Sequence, residues 1–264
     1  MADLTVRKVK FEFPDELDDV LPGVDPVGES YLVAFSLTMP YLEPYLIRTY
    51  RSILDDITDE ALAADVRDFI GQEAQHFQNH RRINTIIKGQ LGDDVADELQ
   101  VFEDRLDADY RRFNAERSRR FNLVYAEGFE AMTCAMAMTM FDDAAAGEGM
   151  GADGRFGPWQ QLWAWHAAEE IEHRTVAFNV YEHLEGNWAY RATGALRAQG
   201  HFHRAVDNMQ RVLLASQGEP RKHHVPPWLR NGRSRYLRTF RPGYDPGALE
   251  QNPLVDTILA GYAA

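Results

Sequence analysis

Two short stretches of this sequence carry residue types that bind transition metals. Glu73 and His76 form one Glu-x-x-His unit, and Glu170 and His173 form another, with His166 one turn before it. Residues three, four and seven positions apart lie on one face of a helix. Each stretch would therefore aim carboxylate and imidazole groups at a common point, and these groups together suit Fe, Mn or Zn. The spacing predicts a metal site built on helices.

The surroundings of these units separate a metal site from an ordinary solvated helix face. One Glu-x-x-His unit alone is a weak signal, because such spacings also arise by chance. The segment around His166 is rich in Trp, Leu, Ile and Val, and ionisable groups on a packed helix are costly unless they are paired or bound to metal. Glu169 and Glu172 point away from this stripe, and we expect them at the surface or behind the ligands.

A site for two metals needs further carboxylates. In four-helix bundles such sites take two Glu-x-x-His helices and one glutamate from each of two other helices. Glu43 lies in an apolar stretch of the first helix, where a solvated glutamate would be unusual. A later apolar helix offers Glu127 and Glu130, one turn apart, and their spacing does not choose between them. His80 extends the stripe of His76, and it either orients a ligand or is itself an additional ligand.

Helices must position these residues, and start and stop signals divide the chain into them. Pro40 and Pro44 are expected to break or kink the first helix, and Gly89 to end the second. Only the N-terminal arm has a pattern that suggests a strand, so the chain is all-α. The helices are predicted at about 30–54, 58–88, 93–118, 121–141, 159–184 and 188–216, with short ones near 228–240 and 254–262.

The chain shows no linker or low-complexity tract, which favours a single domain over residues 1–264. Within it we predict an extended arm at 1–28, a helical bundle at 29–216 and a Pro-rich extension at 217–264.

Composition argues against several classes of function. The 264 residues carry a formal net charge of −13 at pH 7, and nucleic acid is excluded as a partner because phosphate binding needs clustered Lys and Arg. No stretch approaches the roughly 18 uninterrupted apolar residues of a membrane span.

The single cysteine, Cys134, lies in an apolar stretch and is expected to be a buried, unreactive thiol. With no disulfide framework, we expect a cytoplasmic protein.

Residues 69–84 and 166–181 resemble two long motifs of the bacterial family called predicted metal-dependent hydrolases. The resemblance runs from Val6 to Pro246, which is nearly the whole chain. That family is grouped with the ferritin-like proteins. The resemblance therefore implies an all-α, ferritin-like four-helix bundle with additional helices and irregular N- and C-terminal extensions.

The same resemblance implies a set of ligands. The family's first-helix glutamate falls on Glu43, and its third-helix glutamate, followed three residues later by Thr, falls on Glu130 rather than Glu127. The second Glu-x-x-His unit with its upstream histidine is also similar to the di-iron N-oxygenases of arylamines, which suggests His166 as a seventh ligand. The expected metal ligands are Glu43, Glu73, His76, Glu130, His166, Glu170 and His173.

Four carboxylates and three imidazoles favour two Fe ions, with Mn or Zn as alternatives. The first hypothesis is a di-iron oxidase or oxygenase that activates O2 to oxidise a small apolar or aromatic substrate. The alternative is a metal-dependent hydrolase that uses a metal-bound hydroxide, and the third is a non-catalytic ferritin-like metal-binding protein. In the first hypothesis one metal is held by Glu43, Glu73 and His76, and the other by Glu130, His166, Glu170 and His173, with one or two glutamates bridging.

A substrate pocket is expected beside the metals, lined by Phe77, Met132, Met136 and Trp163. The partner expected is a small-molecule substrate. An electron donor protein and a second copy of the chain in a homodimer are compatible with the sequence, and nothing in it specifies either one.

Overall fold

The computed structural model describes residues 4–15, 26–149, 156–222 and 224–262. Over these residues the regular structure is entirely helical, which confirms the predicted all-α bundle; the ferritin-like arrangement stays a prediction. Two short 3-10 turns lie at Leu54–Asp56 and Pro246–Ala248. The α-helices are α1 (Pro26–Arg51), α2 (Glu60–Leu91), α3 (Asp93–Glu116), α4 (Arg119–Ala145), α5 (Pro158–Glu172), α6 (Val176–Leu184), α7 (Trp188–Ser216), α8 (Pro227–Thr239) and α9 (Pro253–Ala260).

The core lies between α1, α2, α4 and α5, with α7 packed along α1 and α4. The α4–α7 contact is close because Gly128 faces Ala195: a Cβ on Gly128 would lie 2.6 Å from the Ala195 Cβ. None of the described helices is long and apolar enough to cross a membrane.

Helix α1 runs without interruption through Pro40 and Pro44, so the expected break is absent. Proline at position 40 removes the N–H that would bond the carbonyl of Ser36. That carbonyl instead accepts a hydrogen bond of 2.8 Å from the side-chain amide of Asn84 on α2. The partner helix thus satisfies the group that the proline leaves open, and α1 continues.

The helix predicted over 159–184 is wrong in one respect, because it is divided at His173 into α5 and α6. The backbone N–H of His173 still bonds the carbonyl of Glu169 at 2.9 Å, so His173 closes the last turn of α5. The guanidinium of Arg174 donates to the carbonyls of Ile171 at 2.6 Å and Pro246 at 3.0 Å. The Arg174 side chain therefore pairs a backbone carbonyl at the end of α5 and also bonds the C-terminal extension.

Other helix ends differ from their predicted positions by a few residues. Asp59 caps α2 by accepting from two backbone N–H groups, as the start signal predicted. The helix continues past Gly89 to Leu91 and ends at Gly92, whose φ of +84° suits glycine. Helix α1 begins at Pro26 and not near residue 30.

The N-terminal segment, residues 4–15, has no helix or strand and lies along α2; the extended arm over 1–28 stays a prediction, and α1 already begins at Pro26. Its backbone carbonyls accept from side chains of α2: Thr5 from Gln72 at 3.0 Å and Val9 from Asn79 at 2.9 Å. Gly71 makes room for it, because a Cβ there would lie 2.7 Å from a methyl carbon of Val6. The rest of the predicted arm up to residue 25 lies outside the described residues.

Candidate metal centre

The structure brings all seven predicted ligand residues together in the middle of the bundle. Each is at most 3% exposed. Their ligand atoms form two adjoining groups, and within each group these atoms lie within 4.8 Å of one another. The three-residue group consists of Glu43, His76 and His166, and the four-residue group of Glu73, Glu130, Glu170 and His173.

This grouping differs from the predicted one, in which Glu73 joined His76 and His166 joined Glu170. The reason is that two glutamates lie between the groups. Glu170 places one oxygen 2.9 Å from Nε2 of His166 and the other 3.4 Å from Nε2 of His173. Oε1 of Glu73 lies 3.5 Å from Nδ1 of His76 and 3.7 Å from Nε2 of His173. Either carboxylate can reach both groups.

The polar atoms facing this centre are mostly without hydrogen-bond partners. Both carboxylate oxygens of Glu43, Glu73 and Glu130 are buried with no hydrogen bond, and so is Nδ1 of His76. A buried polar atom without a partner costs roughly 1–3 kcal/mol, and a charged one costs more. So many unpaired acceptors at one point are consistent with cations, for which carboxylate oxygens and imidazole nitrogens are ordinary ligands.

Electrostatics of the protein chain alone disfavour four ionised carboxylates here. Burial, and then the carboxylate of Glu170, raise the pKa of Glu73 to about 8. Burial and neighbouring carboxylates also raise the pKa of Glu43 and of Glu130 well above the usual range. Burial acts on Glu170 in the same direction, but His173 and His166 outweigh it and hold that pKa well below its usual range. Positive charge at the centre would favour all four carboxylates in the ionised form.

Two of the three histidines are held from behind by polar side chains. Nε2–H of His76 donates to the buried carboxylate of Glu169 at 2.9 Å, which leaves Nδ1 directed at the centre. Nδ1–H of His173 donates to Oε1 of Gln72 at 3.0 Å, which leaves Nε2 directed at the centre. Such bonds fix the ring orientation and tautomer of histidine ligands.

His166 is held by a chain of hydrogen bonds that crosses to α1. Its Nδ1 lies 2.7 Å from Nε2 of His80, and Nδ1 of His80 lies 2.7 Å from the hydroxyl of Ser36. That hydroxyl donates to Oδ1 of Asn84 at 2.5 Å. Burial, then the neighbouring His166 and His76, hold the pKa of His80 well below its usual range. A neutral His80 accepts from Nδ1–H of His166 and belongs to neither ligand group. This geometry favours the role of orienting a ligand over that of an additional ligand.

The structure separates the two glutamates of α4 that spacing left equivalent. Glu127 accepts from the guanidinium of Arg191 at 2.8 Å, away from both ligand groups. Burial raises the pKa of Glu127 to about 7 even though Arg191 opposes this. Glu130 points to the centre, with Oε2 3.2 Å from Nε2 of His173. Glu130 therefore belongs to a candidate ligand group and Glu127 does not; that Glu130 binds metal stays a prediction.

A largely apolar cavity that opens to solvent adjoins both ligand groups, through His166 and Glu170. Met136 and Trp163 line it as predicted, whereas Met132 is buried in the core and Phe77 packs against the core from a partly exposed position. The lining is apolar except where it meets the metal centre. It consists of Leu32, Phe35, Thr133, Met136, Ala137, Met140, Trp163, His166, Ala167 and Glu170.

Cys134 is buried, as predicted, and burial raises the pKa of its thiol to about 12. Sequence analysis did not select Gln72, which bonds His173, or Arg7, which bonds Glu169. Gln72 immediately precedes the predicted ligand Glu73, and this position in the sequence is the one feature that could have indicated its role. Arg7 belongs to a distant segment, and only the fold places it there.

Comparison with known families agrees with this geometry. The family model described as "Predicted metal-dependent hydrolase" matches residues 5–250. The chain belongs to this family. No curated protein and no solved structure matches the chain. Family membership thus points to a metal-dependent enzyme, and the two buried groups of carboxylates and imidazoles are where metal ions could be held.

Proposed function

We propose that this member of the metal-dependent hydrolase family is a two-metal enzyme that hydrolyses a small, largely apolar ester or amide. The observation that carries the proposal is the cluster of seven buried ligand residues, with six carboxylate oxygens and one imidazole nitrogen left without hydrogen bonds. Hydrolysis takes precedence over the O2 chemistry favoured by the sequence alone, because the family description names hydrolysis.

The donor set suggests how two cations would be shared. Glu43, His76 and His166 would hold one cation, and Glu130 and His173 the other, with Glu73 and Glu170 reaching both. Oxygen-rich donors with some imidazole favour iron or manganese, and zinc is the alternative. In a hydrolase such cations supply Lewis acidity and lower the pKa of a bound water.

The chain itself supplies position and shape. Thr133 donates its hydroxyl hydrogen to Oε2 of Glu170 at 2.6 Å and so fixes this carboxylate at the floor of the cavity. The apolar walls, among them Phe35, Met136 and Trp163, would bind the hydrocarbon part of a substrate and exclude bulk water. Its carbonyl would then lie beside His166 and Glu170, the only charged or imidazole groups among the lining residues.

A second candidate is O2-dependent oxidation by two iron ions, with an electron donor protein as partner. The almost wholly apolar lining of the cavity is compatible with oxidation, because an apolar molecule without an ester or amide bond would fit there as well as an ester would. The similarity of the His166–His173 motif to the arylamine N-oxygenases points the same way. A ferritin-like topology and a cytoplasmic location also remain part of the proposal.

One experiment separates the two candidates. The purified protein is analysed for metal content, stripped, reloaded anaerobically with Fe(II), Mn(II) or Zn(II), and tested against p-nitrophenyl esters of short fatty acids. Its absorption spectrum is then followed as O2 is admitted to the Fe(II) form. Metal-dependent ester cleavage without an O2-dependent spectral change supports hydrolysis. A spectral change on O2 addition, with no cleavage by any metal form, refutes it. The Glu130→Gln variant is the metal-deficient control.

A further inference from the structure

Arg7 is a buried arginine on the N-terminal segment, and its guanidinium lies behind the metal centre. Its side chain is only 7% exposed. Nη1 donates to Oε1 of Glu169 at 3.0 Å. Nη1 and Nη2 also bond the two carboxylate oxygens of Glu172, each at 2.8 Å. One guanidinium therefore holds two carboxylates in fixed positions, which its planar set of donors makes possible.

Each of these carboxylates leads to a different ligand group. Glu169 accepts from Nε2–H of His76, a member of the three-residue group. Glu172 accepts from the amide of Gln72 at 2.5 Å. The carbonyl oxygen of the same amide accepts from His173, a member of the four-residue group. Gln72 is therefore oriented by Glu172 so that its oxygen, and not its nitrogen, faces the imidazole.

The segment that carries Arg7 has its own attachments to α2. Arg82 donates to the carbonyl of Phe11 at 2.6 Å, and the Phe11 ring packs against Trp165 with centroids 5.5 Å apart. Asn79 bonds the carbonyl of Val9. Arg82 touches neither Glu169 nor Glu172 in any hydrogen bond or ion pair of the described residues. Loosening the segment and breaking the bonds of Arg7 can therefore be tested separately.

We propose that Arg7 is a positioning residue for both metal ions: through Glu169 it orients His76, and through Glu172 and Gln72 it orients His173. This inference rests on the proposed metal centre, and it does not depend on which reaction the centre performs. It makes the N-terminal segment an integral part of the site. Supporting bonds behind metal ligands typically contribute a factor of about 10–100 in metal affinity.

The test measures Co(II) binding to the full-length, metal-stripped protein by equilibrium dialysis and by the absorption spectrum. The variants are Arg7→Met, which keeps bulk but removes the donors, Glu169→Met and Glu172→Met. Arg82→Met is the matched control, because it removes an arginine that anchors the same segment. Circular dichroism and thermal unfolding of each metal-free protein establish that it is folded.

Arg7→Met is expected to weaken both Co(II) sites by about 10–100-fold. Glu169→Met should weaken one site and Glu172→Met the other, whereas Arg82→Met should keep both affinities. Arg7→Lys, with a single charged head in place of the fork, should fall between wild type and Arg7→Met.

Wild-type affinity in Arg7→Met, or an equal loss in Arg82→Met, overturns the proposal. If Arg7→Met does not fold, the two glutamate variants decide, and an equal loss at both sites in each of them overturns it. If wild type binds two Co(II) ions while its Fe(II), Mn(II) and Zn(II) forms cleave no ester, the hydrolase is contradicted and the role of Arg7 is not, because the Co(II) test measures metal binding.

Discussion

Nε2 of His80 lies 2.7 Å from Nδ1 of His166, so an imidazole supports this candidate ligand from behind. The other two histidines have different supports: a carboxylate for His76 and an amide for His173. A carboxylate acceptor makes a histidine more basic than a neutral acceptor does. The three imidazoles therefore have different hydrogen-bond partners, and ions held at the two groups would have chemically distinct surroundings.

The support of His166 can be tested by exchanging His80. His80→Phe keeps the ring volume but removes the acceptor for Nδ1–H of His166. We expect Co(II) affinity at the three-residue group to fall by about 10–100-fold, as measured by equilibrium dialysis. His80→Gln restores an acceptor of the kind that Gln72 offers His173, and it should recover most of the affinity.

The control for this pair is His183→Ala, an exposed histidine bonded to Thr58 at the surface. It should bind Co(II) as wild type does. If His80→Phe also binds two ions with wild-type affinity, the bond to His166 does not position the ligand.

The two glutamates of α4 should respond in opposite ways to the same substitution. Glu130→Gln removes a proposed ligand, and we expect the loss of at least one bound ion, measured by metal analysis after dialysis. Glu127→Gln weakens the hydrogen-bonded pair with Arg191 and should lower the free energy of unfolding by about 1–3 kcal/mol while both ions are kept. Metal loss in Glu127→Gln with retention in Glu130→Gln would reverse the assignment.

Local periodicity in the sequence is enough to select the candidate ligands that share one helix. Glu73 and His76, or Glu170 and His173, need only helical spacing to share a face. The helix ends after Glu172 although no Gly or Pro in the sequence marks an end there. Arg174 and the C-terminal extension stabilise this helix end instead. Long-range packing determines such features, so sequence patterns do not show them.

The same reason explains why the helix is not broken at Pro40. A proline inside a helix usually interrupts it because a carbonyl loses its donor, and the sequence offers no hint that Asn84 replaces that donor. The division of the candidate ligands between two ions stays a prediction. Helical spacing gives the face of each helix, whereas the distances between helices decide which side chains meet in the two groups.

A pH dependence follows from the raised pKa of Glu73, which is about 8 in the metal-free protein against an ordinary 4.5. Between these values the folded state holds a proton that the unfolded chain has lost. The free energy of unfolding therefore falls as pH rises through this window, by up to about 1.4 kcal/mol per pH unit for this group alone. Glu73→Gln removes the effect.

Urea unfolding of both metal-free proteins between about pH 5 and pH 8 measures it. The variant should be close to wild type at the acidic end and gain relative stability as pH rises. If the difference in the free energy of unfolding between wild type and Glu73→Gln does not change with pH, the raised pKa of Glu73 is contradicted. Added Co(II) should stabilise wild type most at the alkaline end, because metal binding requires deprotonated ligands.

The cavity beside the metal centre should set the size of the substrate. Ala137 lies in its wall and is buried on α4, so Ala137→Leu reduces the volume near His166 without removing a ligand. We expect the variant to keep both metal ions and to bind long alkyl esters less tightly, with a loss of about 0.8 kcal/mol for each CH2 that no longer fits. Calorimetry with methyl esters of increasing chain length, on metal-free protein, measures this without turnover.

Met132→Leu is the control, because Met132 lies on the same helix but not in the cavity wall, and it should leave the chain-length preference unchanged. An unchanged preference in Ala137→Leu would place the substrate elsewhere.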